Sequence, residues 1–294
     1  MSPEEMQSPL RPAPAKAAPS RERQLFRYRL ASLHAALTCF LPRPLWKIFS
    51  LYWSDKHADR GHHYGFTYGE CLRPFRYKRI KLLEIGVGGY QDALGGRSLL
   101  AWKAFFPFGR IVACDLLDKR ELSTFRTKVY QVDQSSTEAL SRLQDAEAPF
   151  DIVIDDGSHL NSHQILTFEK LFDSVTEGGL YIVEDVQTSF WPGEMFEVVW
   201  GGRHIDDPRF SQTCVGYFLE MAKYLNHAEF VPGERVDAKK LGLAKKIRRI
   251  SFEHNLIIVV KGTNEEPSNM MRDFTSSGKG STVAPAISAS APAV

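Results

Sequence analysis

From Lys78 to Val183 the apolar positions fall into short runs, parted by polar, glycine-punctuated turns and by stretches with helical spacing. The runs predict five strands: Ile80–Ile85, Ile111–Asp115, Val129–Val132, Phe150–Ile154 and Leu180–Val183. Ser98–Phe106, Thr137–Gln144 and Ser162–Phe172 are predicted as helices between them. Near-continuous apolar strands that alternate with helices imply a parallel sheet covered on both faces. Further on, Gln187–Pro192 reads as a loop, Pro208–Leu225 as one amphipathic helix, and Arg248–Gly262 as a closing antiparallel hairpin. The expected fold class is α/β: Rossmann-like and doubly wound, a mostly parallel sheet with a C-terminal antiparallel hairpin.

The flanks divide differently. Residues 1–21 are rich in Pro, Ala and Ser and too poor in apolar residues to fold, and 263–294 repeat that character, so both are expected to be disordered tails. Residues 22–77 form an N-terminal segment, helical over Glu22–Tyr52 with a break near Pro42. The segment ends in a polar, aromatic loop, Asp55–Tyr68, which carries His57, His62 and His63. That loop is expected to face a substrate, because it leads directly into the first core strand. Residues 78–262 are the main domain.

With 294 residues, 43% of them hydrophobic, the chain can bury a sizeable core. A net charge of +2 lacks the concentrated basic excess that nucleic-acid binding needs, so no such partner is expected. The four cysteines are scattered with no C-x-x-C, which suggests neither disulfides nor a zinc knuckle and points to a reducing cytoplasm. No apolar h-region marks a secretory signal. Leu30–Leu41 is apolar but too short to span a bilayer. With Trp46, Phe49, Tyr52 and Trp53 after it, a membrane-surface helix is one reading. Packing on its own domain or on a partner subunit is the favoured one, and a homo-oligomer is expected. The basic run Lys239–Arg249 reads as a solvated face.

Chemistry gathers at the predicted strand ends. The first strand runs through Glu84 into Gly86-Val87-Gly88-Gly89, a turn whose glycines let backbone approach a ligand. Gln91 breaks the dinucleotide pattern G-x-G-x-x-G, and an acid just ahead of the glycines suits a cationic amino group better than a pyrophosphate. Asp115 ends the second strand, where a carboxylate can accept two ribose hydroxyls, and Asp133-Gln134-Ser135 follow the third, where they could grip an adenine edge. S-adenosylmethionine fits this set best.

The fourth and fifth strands end in Asp155-Asp156 and Glu184-Asp185. Neighbouring strands lie about 4.8 Å apart. Two carboxylates ~4 Å apart repel by about 4 kcal/mol at an effective dielectric of 20, a repulsion that a bound cation reverses. All-oxygen ligation favours Mg²⁺, Ca²⁺ or Mn²⁺ over zinc. His159, three residues past Asp156, is a candidate general base, with His163 one helical turn on as its competitor.

On these residues the chain resembles the metal-dependent sugar O-methyltransferases of macrolide biosynthesis, especially the mycinamicin VI 2''-O-methyltransferase group. The matching stretches are Asp55-Lys56, LLEIGVGGY at Leu82–Tyr90, GGRSLLAWKAFFP at Gly95–Pro107, FDIVIDDGSH at Phe150–His159, and VEDVQTSFWP at Val183–Pro192, with a weaker echo at His254–Pro267. The resemblance implies a class I methyltransferase fold, S-adenosylmethionine, Mg²⁺ and a sugar acceptor with vicinal hydroxyls. It also implies that Asp156, Glu184 and Asp185 hold the metal, that His159 is the base, and that Asp155 and Ser98 join Glu84, Gly86, Gly88, Asp115, Asp133 and Gln134 on the cofactor. The loop His57–Tyr68 matches loosely, Gly193–Lys246 hardly at all, and Glu22–Tyr52 lacks a counterpart. The acceptor therefore stays open among natural-product glycosides, glycolipids and polysaccharides. A catechol or other non-sugar diol, or a cofactor-binding protein without turnover, is the alternative.

Overall fold

A computed structural model describes residues 19–59, 61–89, 93–231 and 233–268. Most of both expected tails, and Gln91, lie outside the described residues. Five strands run parallel: β1 (Lys81–Ile85), β2 (Arg110–Asp115), β3 (Thr127–Gln131), β4 (Phe150–Asp155) and β5 (Val175–Glu184). The hairpin strands β8 (Ile247–Glu253) and β9 (Leu256–Lys261) close the sheet antiparallel, giving the order β3-β2-β1-β4-β5-β9-β8. A separate ribbon pairs β6 (Glu194–Met195) with β7 (Val198–Val199).

Side chains alternate across each strand, and both faces are buried, so the chain builds two cores. Leu82, Ile111, Ile152, Ile182 and Ile258 face one layer, made by α1 (Arg21–Thr38), α2 (Leu45–Leu51), α3 (Tyr64–Leu72) and α4 (Arg97–Phe105). Leu83, Val112, Val153, Val183 and Ile257 face the other, made by α5 (Thr137–Glu147), α6 (Asn161–Leu171), α7 (Cys214–Tyr224) and α8 (Ala238–Ala244). The N-terminal segment therefore supplies three of the four helices of one covering layer.

Two expectations change. The predicted loop Asp55–Tyr68 turns helical from Tyr64, because Tyr64, Tyr68 and Leu72 fall at four-residue spacing and bury one face. The single helix expected over Pro208–Leu225 is a short 3-10 turn, Pro208–Gln212, followed by α7. The Thr213 side chain accepts from Gly216 N and starts the second helix, so the two cannot be continuous.

Candidate active site

β4 and β5 end side by side with Asp155 opposite Val183, so the next residues, Asp156 and Glu184, meet at the carboxyl edge of the sheet. At the centre of this acid cluster stands Lys56, to which the sequence assigned no role of its own. Its Nζ donates to Asp156 Oδ2 at 2.6 Å and to Glu184 at 2.7 and 2.8 Å, with Glu84 Oε1 at 3.6 Å, and its side chain is 1% exposed. Burial alone would lower the lysine pKa, but Asp156, Glu184 and Glu84 outweigh it and hold the pKa well above its ordinary value. Lys56 is thus a fixed positive charge. It lies 100 residues from Asp156 and 128 from Glu184, so no local spacing could reveal the pairing.

The start of α3 forms a wall. Tyr68 donates to Glu184 Oε1 at 2.5 Å, and Tyr64 donates to Asp185 Oδ1 at 2.6 Å. Burial, reinforced by these carboxylates, pushes both phenols upward, so they remain donors. His62 stacks on Tyr64 with ring centroids 4.7 Å apart and sets its Nδ1 3.4 Å from Asp185 Oδ1. The other two histidines of this stretch lie apart: His57 turns onto Asp59, and His63 is exposed at the helix start.

His159 places Nε2 3.6 Å from Asp185 Oδ2 and 4.0 Å from Asp156 Oδ1. One ligand atom from each of Asp156, His159 and Asp185 lies within 4.8 Å of the others, close enough to share one cation. Glu184 stands outside that trio, held by Lys56 and Tyr68. His163 points to Ser158 Oγ at 2.9 Å instead. His159 and Asp185 both adopt the left-handed backbone region, φ +56° and +55°, at a cost of roughly 1–2 kcal/mol each. Buried Thr188 ties the two turns together, its Oγ1 lying 2.9 Å from His159 O and 3.3 Å from Asp185 O.

Charge decides what the cluster can hold. Asp156, Glu184 and Asp185 carry three negative charges when ionised, and Lys56 cancels one. The two that remain match a divalent cation. Burial pushes the Asp156 and Glu184 carboxyls above the usual range, and Lys56 pulls both back. Asp156 and Asp185 fit a metal as they stand, whereas both oxygens of Glu184 are engaged, Oε1 by Tyr68 and Lys56 and Oε2 by Lys56, so Glu184 can join a metal only by giving up one of these donors.

On the glycine-loop side of Asp156 lies a cavity of about 340 Å³, lined among others by Trp53, Asp55, Gly88, Gly95 and Ser98. Gly86, at φ +87°, packs where a Cβ would sit 1.9 Å from Asp156 O, and Gly88, at φ +65°, faces open space. Ser98 donates to Glu84 Oε2 at 2.9 Å, while Glu84 Oε1 is buried without a hydrogen-bond partner. Burial pushes the Glu84 carboxyl up to about 7, against the pull of Lys56. A buried carboxylate oxygen with no hydrogen bond and only the Lys56 ammonium at 3.6 Å suits a cationic amino group, although Glu84 itself does not line the cavity.

The remaining predicted residues serve the loops around the cavity. Asp115 accepts from Val87 N at 3.0 Å and Leu117 N at 2.9 Å, with Lys119 Nζ 3.8 Å away. Asp155 is fully buried and accepts from Gln134 Nε2 at 2.7 Å, while Gln134 Oε1 accepts from Ser158 N. Asp133 is exposed and closes its own turn on Ser135. Of the residues predicted for the cofactor, Gly88 and Ser98 line the cavity, and Glu84, Gly86, Asp115, Asp133, Gln134 and Asp155 do not.

The sheet order and the cavity at its carboxyl edge define a class I methyltransferase fold. The MycE methyltransferase of the mycinamycin biosynthetic pathway, solved in complex with Mg, SAH and mycinamycin VI, shares it: TM-score 0.67 at 35% identity, covering 77% of this chain and 56% of that one. The chain is 38% identical over 236 residues to mycinamicin VI 2''-O-methyltransferase of Micromonospora griseorubida, covering 77% of this chain and 53% of the relative. It is 37% identical over 212 residues to 8-demethyl-8-alpha-L-rhamnosyl tetracenomycin-C 2'-O-methyltransferase of Streptomyces olivaceus, covering 72% and 53%. The chain is thus a relative of the sugar O-methyltransferases, and it spans about half the length of the curated relatives it matches. No protein-family model matches.

Removing one partner of a buried charge cluster leaves the others uncompensated. Lys56→Met is therefore expected to lower unfolding free energy by about 3–5 kcal/mol. Pairing it with Glu184→Gln should recover part of that loss. Denaturant titration of the single and double variants in metal-free buffer measures both, and a neutral Lys56→Met would refute the assignment.

Proposed function

We propose that this chain transfers a methyl group from S-adenosylmethionine to a sugar hydroxyl, with Mg²⁺ held by Asp156, Glu184 and Asp185 and His159 as general base. The observation that carries this reading is the convergence of Asp156, His159 and Asp185 within 4.8 Å of one another, with Asp156 also lining the glycine-rich cavity. The complex of MycE with Mg, SAH and mycinamycin VI supports it, as do relatives named for methylation of sugars on macrolides and polyketides. The acceptor class is a glycoside with vicinal hydroxyls, as part of a small natural product, a glycolipid or a polysaccharide.

The bound groups would supply a Lewis acid that acidifies a coordinated hydroxyl and a sulfonium that carries the methyl. The chain's own residues do the rest. Glu84, fixed by Ser98, receives the cationic amino group at Oε1, the oxygen that otherwise faces Lys56 at 3.6 Å. Gly88 leaves room for the cofactor at the strand ends, and Gly86 lets the turn pack directly against Asp156 O. Asp115 exchanges backbone partners for ribose hydroxyls, and Asp155 with Gln134 anchors the loop that borders the adenine. His159 Nε2 takes the hydroxyl proton, and the carboxylates of Asp185 and Asp156, 3.6 and 4.0 Å away, stabilise the charge the ring acquires. Holding both reactants in line supplies much of the acceleration.

Three outcomes are expected with isotopically labelled S-adenosylmethionine and a glycoside acceptor. EDTA and Asp156→Asn each abolish methyl transfer while cofactor binding persists. His159→Ala lowers kcat by about 10²–10⁴-fold with cofactor affinity unchanged. Full turnover in EDTA would sink the metal role, and an unaffected His159→Ala would reassign the base.

The Glu84 carboxyl at about 7 predicts a pH dependence. A cationic amino group favours the ionised carboxylate, so binding releases a proton, and affinity rises with pH until the free carboxyl is ionised. Between about pH 6 and about pH 8 the affinity for S-adenosylmethionine should tighten roughly tenfold, and Glu84→Gln should remove the slope. Calorimetry in buffers of different ionisation enthalpy measures the proton release. A pH-independent wild-type affinity would overturn the Glu84 assignment.

A further inference from the structure

The helix α1 is apolar on two opposite sides. Tyr28, Ser32 and Ala35 are buried against the domain. On the far side Phe26, Leu30, Leu33 and Leu37, with Phe40 just past the helix end, recur at alternating intervals of four and three and are 53–74% exposed. At 3.6 residues per turn the four helical ones fall within an arc of about 60°, and Arg23 and Arg27 flank that arc on one side and Arg29, with Glu22 two turns before it, on the other. All three arginines are exposed.

The stripe continues beyond the helix. Ser32 Oγ lies 2.9 Å from Thr124 Oγ1, which brings exposed Phe125 beside α1, and Phe40 meets exposed Phe108 with ring centroids 5.6 Å apart. A groove of about 720 Å³ lies between these rings, at the edge of the sheet opposite the active site. Arg79, Lys81, Arg110 and Arg126 line it with Asp151, and Arg110 and Lys81 also pair with Glu147 beside it, at 2.8 and 3.8 Å.

Charge selects the occupant. From Arg21, the first residue of α1, to Ser54 the chain has six Lys and Arg against a single acid, Glu22. A second copy packed antiparallel along the stripe would set Arg27 and Arg29 beside positions that offer no acid, and one packed parallel would bring Glu22 to Arg27 while leaving Arg23 and Arg29 without a partner on it. An anionic bilayer answers both features: its acyl boundary takes the apolar stripe, and its phosphates take the arginines, whose stems reach outward along the stripe. We infer that α1 and the Phe108–Phe125 rim form a docking face for an anionic lipid surface. No helix among the described residues is long and apolar enough to cross a membrane, so the contact is interfacial. This face is separate from the proposed methyl-transfer site.

Vesicle flotation of the whole chain tests it, using phosphatidylcholine alone or with roughly a quarter phosphatidylglycerol. Wild-type protein should float with the anionic vesicles and stay behind with the neutral ones. Leu33→Glu/Leu37→Glu and Arg27→Gln/Arg29→Gln should each cut the bound fraction at least tenfold. All four side chains are exposed, so circular dichroism should show unchanged folding. No binding to anionic vesicles, or equal binding by the variants, overturns the inference. A wild-type dimer by light scattering that Leu33→Glu/Leu37→Glu splits, without vesicle binding, would assign the face to a second copy and overturn it as well.

Discussion

Everything at the carboxyl edge of this sheet depends on the ammonium of Lys56. Parallel strands with both faces covered deliver Asp156 and Glu184 side by side into a desolvated place, where repulsion and burial both act against ionisation. One buried cation within 2.6–2.8 Å of both makes the arrangement tolerable in the absence of metal, while leaving net negative charge for a ligand to neutralise. A fully neutralised cluster would be more stable and would have less attraction for a divalent ion.

The same contact explains why the N-terminal segment belongs to the domain. Lys56, Tyr64 and Tyr68 each hand a donor to an acid at a strand end, and the helices around them complete one of the two cores. The acids therefore hold the covering layer in place, and the layer keeps the acids dry. Backbone strain is concentrated at the same spot. His159 and Asp185 sit in left-handed conformations on consecutive strand-to-helix turns, and Thr188 braces both. Such strain persists only where surrounding contacts over-determine it, as they do here, and its effect is to aim an imidazole and a carboxylate at a common point.

The alternating apolar runs carried the architecture in full view, because a strand buried on both faces must be apolar throughout and a helix must repeat near every third or fourth residue. Five parallel strands, the closing hairpin and the position of the acids at strand ends follow from that constraint. The limits of local reading show at α3, where two tyrosines in a polar, glycine-rich stretch looked like loop residues until their partners across the sheet edge were in view. Asp133 was legible as a polar residue after a strand, but only the structure shows it spent on its own turn.

By itself, then, the sequence determined the α/β fold, the glycine turn, the acids at the ends of β4 and β5, and the histidine that follows them, since each is a local pattern of spacing or residue type. Only the tertiary structure decided that Lys56, more than a hundred residues from Glu184, stands among those acids. It also decided that His159 rather than His163 faces them, and that one side of α1 is bare. The physical reason is that pairing of buried charges and exposure of a helix face are properties of what lies across the fold, and separation along the chain carries no record of them.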